Sequence, residues 1–204
     1  MVRAVARTTD PQRREELLKA ARAEFAEQGF VGARMADIAG RAGVATGTVY
    51  LYFESKEALV AALVDDHLAR LTAELCAVLD RPSSVAPVTE TIHTALVFLD
   101  RERDLFRLQR LELGLKGLAP YRPLPGYRHL WQELATRLAS WMARGQVRHY
   151  DPAVLAAMLI GTVEWVAEIS LLRGDRDFAK YEATVLQVMN QALLPEVARP
   201  EQET

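Results

Sequence analysis

Between Gly43 and Phe53 the chain reads GVATGTVYLYF, a run of small residues followed by two tyrosines and a phenylalanine. A buried strand or a short two-faced helix would each account for the aromatics, and the flanks decide. Asp37 to Ala42 upstream is helix-forming, Ala42, Gly43 and Val44 suit a tight turn, and Ser55 downstream is an N-cap opening a long apolar-periodic segment. The stretch is therefore a short helix over Ala45 to Phe53. At 100° per residue Val49 and Phe53 share one side, while Thr46, Gly47, Tyr50 and Leu51 share the other. The first pair can join Ile38 and Phe25 in a small core. The second set brings a hydroxyl, a position without Cβ, a phenol and an apolar tip, which suits phosphates and base edges in a groove.

The same signals repeat along the chain. Asp10-Pro11 opens a first helix whose inward face is Leu18, Ala21 and Phe25, and Gly29 can supply the left-handed residue that ends it. A second helix spans about Arg34 to Arg41, with Met35, Ile38 and Ala39 inward. From Ser55 a long helix runs to about Asp80, with Leu59, Leu63 and Leu71 inward, and RPSSVAP follows as a linker. Further helices are expected from Pro87 to about Arg101, Asp104 to about Gly117, Tyr127 to Ala143, Asp151-Pro152 to near Arg173, and Phe178 to Leu194. Strand alternation is absent, so the fold class is all-α with about nine helices. Residues 1–54 form a helical head with a basic arm carrying Arg3, Arg7, Arg13 and Arg14; residues 55–204 form a helical body.

Composition narrows the function. A net charge of −2 on 204 residues gives no global attraction to nucleic acid, so such a partner must be met by a local patch. Residues 1–60 carry nine basic and eight acidic side chains. The single Cys76 cannot form an internal disulfide, and it suits a small buried hydrophobe better than a redox switch. No secretory h-region opens the chain, and the most apolar segment, Ala153 to Leu172, is interrupted by Glu164 and Glu168. A cytoplasmic protein with no membrane partner is expected. His67, His93, His129 and His149 form no metal signature, no nucleophile elbow or phosphate-binding Gly-Lys-Ser/Thr loop is present, and GVATGT lacks the strand a nucleotide fold needs. No cofactor and no enzymatic activity are expected.

Two helices joined by a short Gly-containing turn form a helix-turn-helix, whose second helix enters the DNA major groove. Spacing alone leaves open a bland alternative with Tyr50 and Tyr52 half-buried against the long fourth helix. The full string GFVGARMADIAGRAGVATGTVYLYFESKEAL, Gly29 to Leu59, resembles the N-terminal DNA-binding segment of the TetR family of bacterial transcriptional regulators. The resemblance covers about residues 10–60; beyond it only length and helicity agree. It implies DNA contacts at Thr46, Gly47, Thr48, Tyr50, Leu51 and Tyr52, and a phosphate contact at Lys56. Two positions depart from the family pattern: Arg34 stands where Thr or Ser usually caps the second helix, and Ala45 where Ser usually caps the third. Arg34 can offer a phosphate its guanidinium instead.

The resemblance also implies a homodimer on a palindromic operator and a small-molecule pocket in the body, with repression as the usual mode. A dimer face is expected on the last two long helices, along Ala153, Ala157 and Gly161 continuing into Glu164 and Glu168, and along Phe178, Tyr181, Val185, Met189 and Ala192. Pocket candidates are the apolar Phe98, Phe106, Leu113, Trp131, Met158 and Trp165, with Gln109, Glu164 and Glu168 as polar anchors; the two glutamates are candidates for either role. A helical lipid- or drug-binding carrier without regulatory DNA binding is the rival reading.

Overall fold

The computed structural model describes residues 10–80, 87–110, 124–172 and 178–195. Among them are nine α-helices and no strand: α1 Pro11–Gly32, α2 Met35–Arg41, α3 Thr46–Tyr52, α4 Lys56–Leu79, α5 Pro87–Arg101, α6 Arg103–Leu108, α7 Pro125–Ala143, α8 Pro152–Ala167 and α9 Phe178–Leu193, with a π-helical turn over Glu168–Leu172 extending α8. Leu113, and the chain from 111 to 123 where the sixth helix was expected to continue, lie outside the described residues.

The caps explain several boundaries. The Asp10 carboxylate accepts the Gln12 N–H at 3.0 Å with Pro11 at the first helical position, and Asp151 accepts from Ala153 and Val154 in the same way before Pro152. Gly29 breaks α1 as expected, with φ +66° and ψ 176°, a conformation that side chains with a Cβ avoid; one further turn follows to Gly32. Ser55 Oγ accepts the Ala58 N–H and caps α4.

Described residues 10–64 and 108–110 make one compact unit, and 65–107 with 124–195 another. The division falls inside α4 rather than at the expected 54/55 boundary. In the first unit α1 packs on α2 and α2 on α3. Its core is Leu18, Ala21, Phe25, Phe30, Met35, Ile38, Ala39, Val49, Phe53 and Leu59, all buried, with the Phe25 and Phe30 rings stacked at 6.0 Å. Two carboxylates fasten α2 to α1: the Arg41 guanidinium donates to Glu24, itself buried, at 3.0 Å and to Glu27 at 2.6 Å. Those bonds, with Glu27 first and Glu24 second, raise the Arg41 pKa, and the Arg41 bond holds the Glu27 carboxyl below its ordinary value.

In the second unit α7 packs along α8, and α5 meets both α8 and α9. Phe98 and Phe106 are fully buried core residues, Phe98 against the buried His67 ring at 4.9 Å. Thr89 donates to Asn190, and His93 pairs with Glu182, joining α5 to α9. Arg148 N–H donates to Leu193 O at 2.9 Å, Arg148 Nε to Leu194 O at 3.1 Å, and Tyr150 OH to Ala192 O at 3.0 Å, so the connection after α7 holds the end of α9. Pro152–Leu171 is long and apolar enough to cross a membrane by length and composition. Here its Leu155, Ala156, Leu159, Val163 and Ala167 face are core.

Candidate nucleic-acid interface

The turn before α3 is made by a Schellman arrangement. Val44 N–H reaches back to Ala39 O at 3.0 Å and Gly43 N–H to Gly40 O at 3.1 Å, with Gly43 at φ +68°. That closure redirects the chain within three residues and sets α3 against α2. Val49 is fully buried and Phe53 nearly so, which leaves the opposite side of α3 to solvent. Thr46 and Gly47 are exposed, Tyr50 and Leu51 are each 52% exposed, and Thr48 and Tyr52 are half-buried. Of the two tyrosines that the bland alternative had half-buried, Tyr52 is and Tyr50 stands exposed. No atom lies within 4 Å of where a Gly47 Cβ would stand, so this glycine leaves open space on the outer face.

Arg34, the residue preceding α2, is exposed and makes no side-chain cap. Ala45 leaves α3 without one as well. Lys56 requires a correction. Its ammonium turns inward: it donates to Phe30 O and, at 2.9 Å, to Ala33 O, with Val31 O at 3.5 Å, and stands 4.4 Å over the Phe30 ring. Gly29 ends the first run of α1 and leaves carbonyls in the α1–α2 connection without helical partners, and the Lys56 ammonium takes those of Phe30 and Ala33. A side-chain phosphate contact by Lys56 is therefore not supported. Pattern reading missed this role because an ammonium four carbons from its backbone can point either way.

The pocket candidates separate. Phe98 and Phe106 are filled core, and Gln109 is buried in the first unit. Trp131, Met158 and Trp165 are exposed, Met158 by 59% and Trp165 by 52%. The Trp131 indole donates to Ala153 O at 2.9 Å, pinning α7 to α8 at the surface. Met158 and Trp165 instead join Val154, Ala157 and Gly161 in an exposed apolar strip on α8, at i, i+3, i+4, i+7 and i+11. Because α8 is apolar all round, periodicity did not tell its covered side from this one. Glu164 is half-buried and accepts from the Tyr127 hydroxyl, and Glu168 is half-buried at the start of the π-helical turn. On α9, Tyr181, Val185 and Met189 are half-buried and Val188 and Ala192 exposed.

Residues 17–63, which contain the whole two-helix unit, match the family model for bacterial regulatory proteins of the tetR family. Over 194 residues the chain is 30% identical to the uncharacterized HTH-type transcriptional regulator YdgC of Bacillus subtilis, covering 89% of this chain and 93% of that one. This chain belongs to the TetR family of transcriptional regulators. Two solved structures extend the likeness in fold across the body. The Bacillus subtilis regulator FadR in complex with stearoyl-CoA has a TM-score of 0.70 at 20% identity, over 86% of this chain and 96% of that one. SmeT, repressor of a Stenotrophomonas maltophilia multidrug efflux pump, has a TM-score of 0.69 at 23% identity, over 93% and 94%. In this TetR-family chain the outward side of α3 is the solvent-exposed side of the second helix of the matched segment.

Proposed function

We propose that this protein is a repressor that binds a palindromic operator as a homodimer and leaves it when a small, largely apolar effector binds the helical body. The observation that carries the DNA part is the two-sidedness of α3: Val49 and Phe53 are held in the core while Thr46, Gly47, Tyr50 and Leu51 stand clear. Such a helix can enter a major groove without unfolding its support. Thr48, Tyr52 and Arg34 complete the contact set.

The exposed strip Val154, Ala157, Met158, Gly161 and Trp165 supports the dimer. It is continuous and apolar, and a two-fold pairing of α8 with its copy covers it while bringing two heads to one palindrome. FadR with stearoyl-CoA and SmeT with triclosan support an apolar effector. The half-buried Glu164 and Glu168 are the polar groups of α8 that remain for it or for the rim of the dimer. Selection of random duplexes with the purified protein, followed by salt titration of the recovered sequence, tests the reading. Affinity that falls steeply with salt and collapses to random-sequence affinity for Tyr50→Ala is expected. A protein that retains no duplex and carries an apolar ligand is instead the carrier.

A further inference from the structure

Several cations of the first unit are committed, while the exposed Lys19 and Arg34 carry no ion pair among the described residues. Arg13 is paired with Glu16 at 2.6 Å, Arg41 is held by Glu24 and Glu27, and Lys56 is bound to backbone carbonyls. Arg14 is different. It is exposed, makes no side-chain hydrogen bond or ion pair among the described residues, and its guanidinium lies 5.6 Å over the ring of Phe53. Phe53 is the C-cap of α3, 4% exposed, with its N–H bonded to Val49 O.

The register of α1 explains how Arg14 reaches that place. Leu18, Ala21 and Phe25, at i+4, i+7 and i+11 from Arg14, are the buried side of the helix. Arg14 continues this side one turn beyond the core, so it emerges at the edge where α3 ends instead of on the outer surface with Glu15 and Lys19. The cation–π contact keeps the guanidinium near an aromatic ring and leaves its five N–H donors available. A planar cation, unneutralised and held beside the end of a recognition helix, matches what a phosphate oxygen at a groove edge needs.

From this placement we infer that Arg14 is a further DNA-backbone contact, gripping a phosphate at the Tyr52–Phe53 end of α3 and replacing the contact that Lys56 does not make. The inference rests on the operator-binding reading. It assigns Arg14 to affinity and registration, with no part in choosing bases.

The test compares full-length parent, Arg14→Gln and Arg14→Lys on a random-sequence duplex and on the selected operator, with log Kd followed against log salt. Each lost phosphate contact flattens the slope by about 0.9 on B-form DNA, so a fourfold rise in salt should weaken Arg14→Gln about 3.5-fold less than the parent for every head bound. The change should be equal on both duplexes, and Arg14→Lys should keep the parental slope. A parental slope for Arg14→Gln, with or without a fall in melting temperature, makes Arg14 a lid on Phe53 and overturns the inference. Base-dependent loss, seen on the operator alone, overturns it as well. If the parent itself shows no salt-sensitive duplex binding, the operator reading fails, an outcome separable from the other two because it appears before any substitution.

Discussion

Gly161 lies in the middle of the exposed strip of α8, and beyond its own helix backbone and chain neighbours no atom of the described residues lies within 4 Å of where its Cβ would stand. A side chain there meets only solvent in a lone subunit. Replacing glycine by a good helix former inside a helix stabilises it by about 0.5–1 kcal/mol, so Gly161→Arg should raise the melting temperature of the isolated subunit or leave it unchanged. In the proposed dimer the substitution acts in the opposite direction. Gly161 and Ala157 allow two α8 helices close approach, and wedging a long side chain into a fitted contact costs about 1–3 kcal/mol. In a two-fold interface the substitution occurs twice, for a loss of about 2–6 kcal/mol, or roughly 30-fold to 10⁴-fold in the dimer dissociation constant. The guanidinium's desolvation adds to that. Sedimentation over a concentration series reads the dimer constant, and circular dichroism reads the subunit fold. An unchanged dimer constant for a folded Gly161→Arg protein would refute the assignment of this strip to the interface.

Other outcomes follow from the same contacts. Tyr50→Ala should leave the unfolding free energy within about 0.5 kcal/mol of the parent, as for surface sites, yet weaken operator binding in a gel-shift titration. Lys56→Met should lower stability by about 1–3 kcal/mol in urea unfolding, because the Phe30 and Ala33 carbonyls lose their donor. Gly29→Ala should cost about 1–2 kcal/mol through its positive φ alone, since nothing crowds its Cβ; an unchanged urea midpoint would count against that strain. The Glu27 carboxyl is held below its ordinary value of 4.5 by Arg41, so its contribution is present above that value and fades as the pH falls through the depressed one. Arg41→Leu should therefore flatten the acid limb of the stability profile, measured as urea midpoint against pH.

The head was legible because its signals are local. Asp10-Pro11 and Asp151-Pro152 are cap and first-turn chemistry, Gly29 and Gly43 are backbone conformations only glycine adopts readily, and Val49 with Phe53 is a register that survives whatever packs on it. The body was less legible for a physical reason. Apolar periodicity says that a helix face leaves water, but α8 is apolar on every side, and whether Met158 and Trp165 leave water inside the subunit or against another copy is decided by neighbours distant in the chain. Aromatics such as Phe98 and Trp165 looked alike as pocket candidates, and their exposures of 1% and 52% separate them only in three dimensions. Lys56 and Arg14 were misplaced and overlooked for the same reason: long cationic side chains adopt the partner that folding brings, a backbone carbonyl in one case and a phenylalanine ring in the other.

The knot at Lys56 also bears on how the head is held together. One ammonium holds the Phe30 and Ala33 carbonyls, immediately before Arg34 and the opening of α2, to the first turn of α4. Because both carbonyls share one donor, the α1–α2 connection and the start of α4 are fastened at a single point, and removing that ammonium would free both at once.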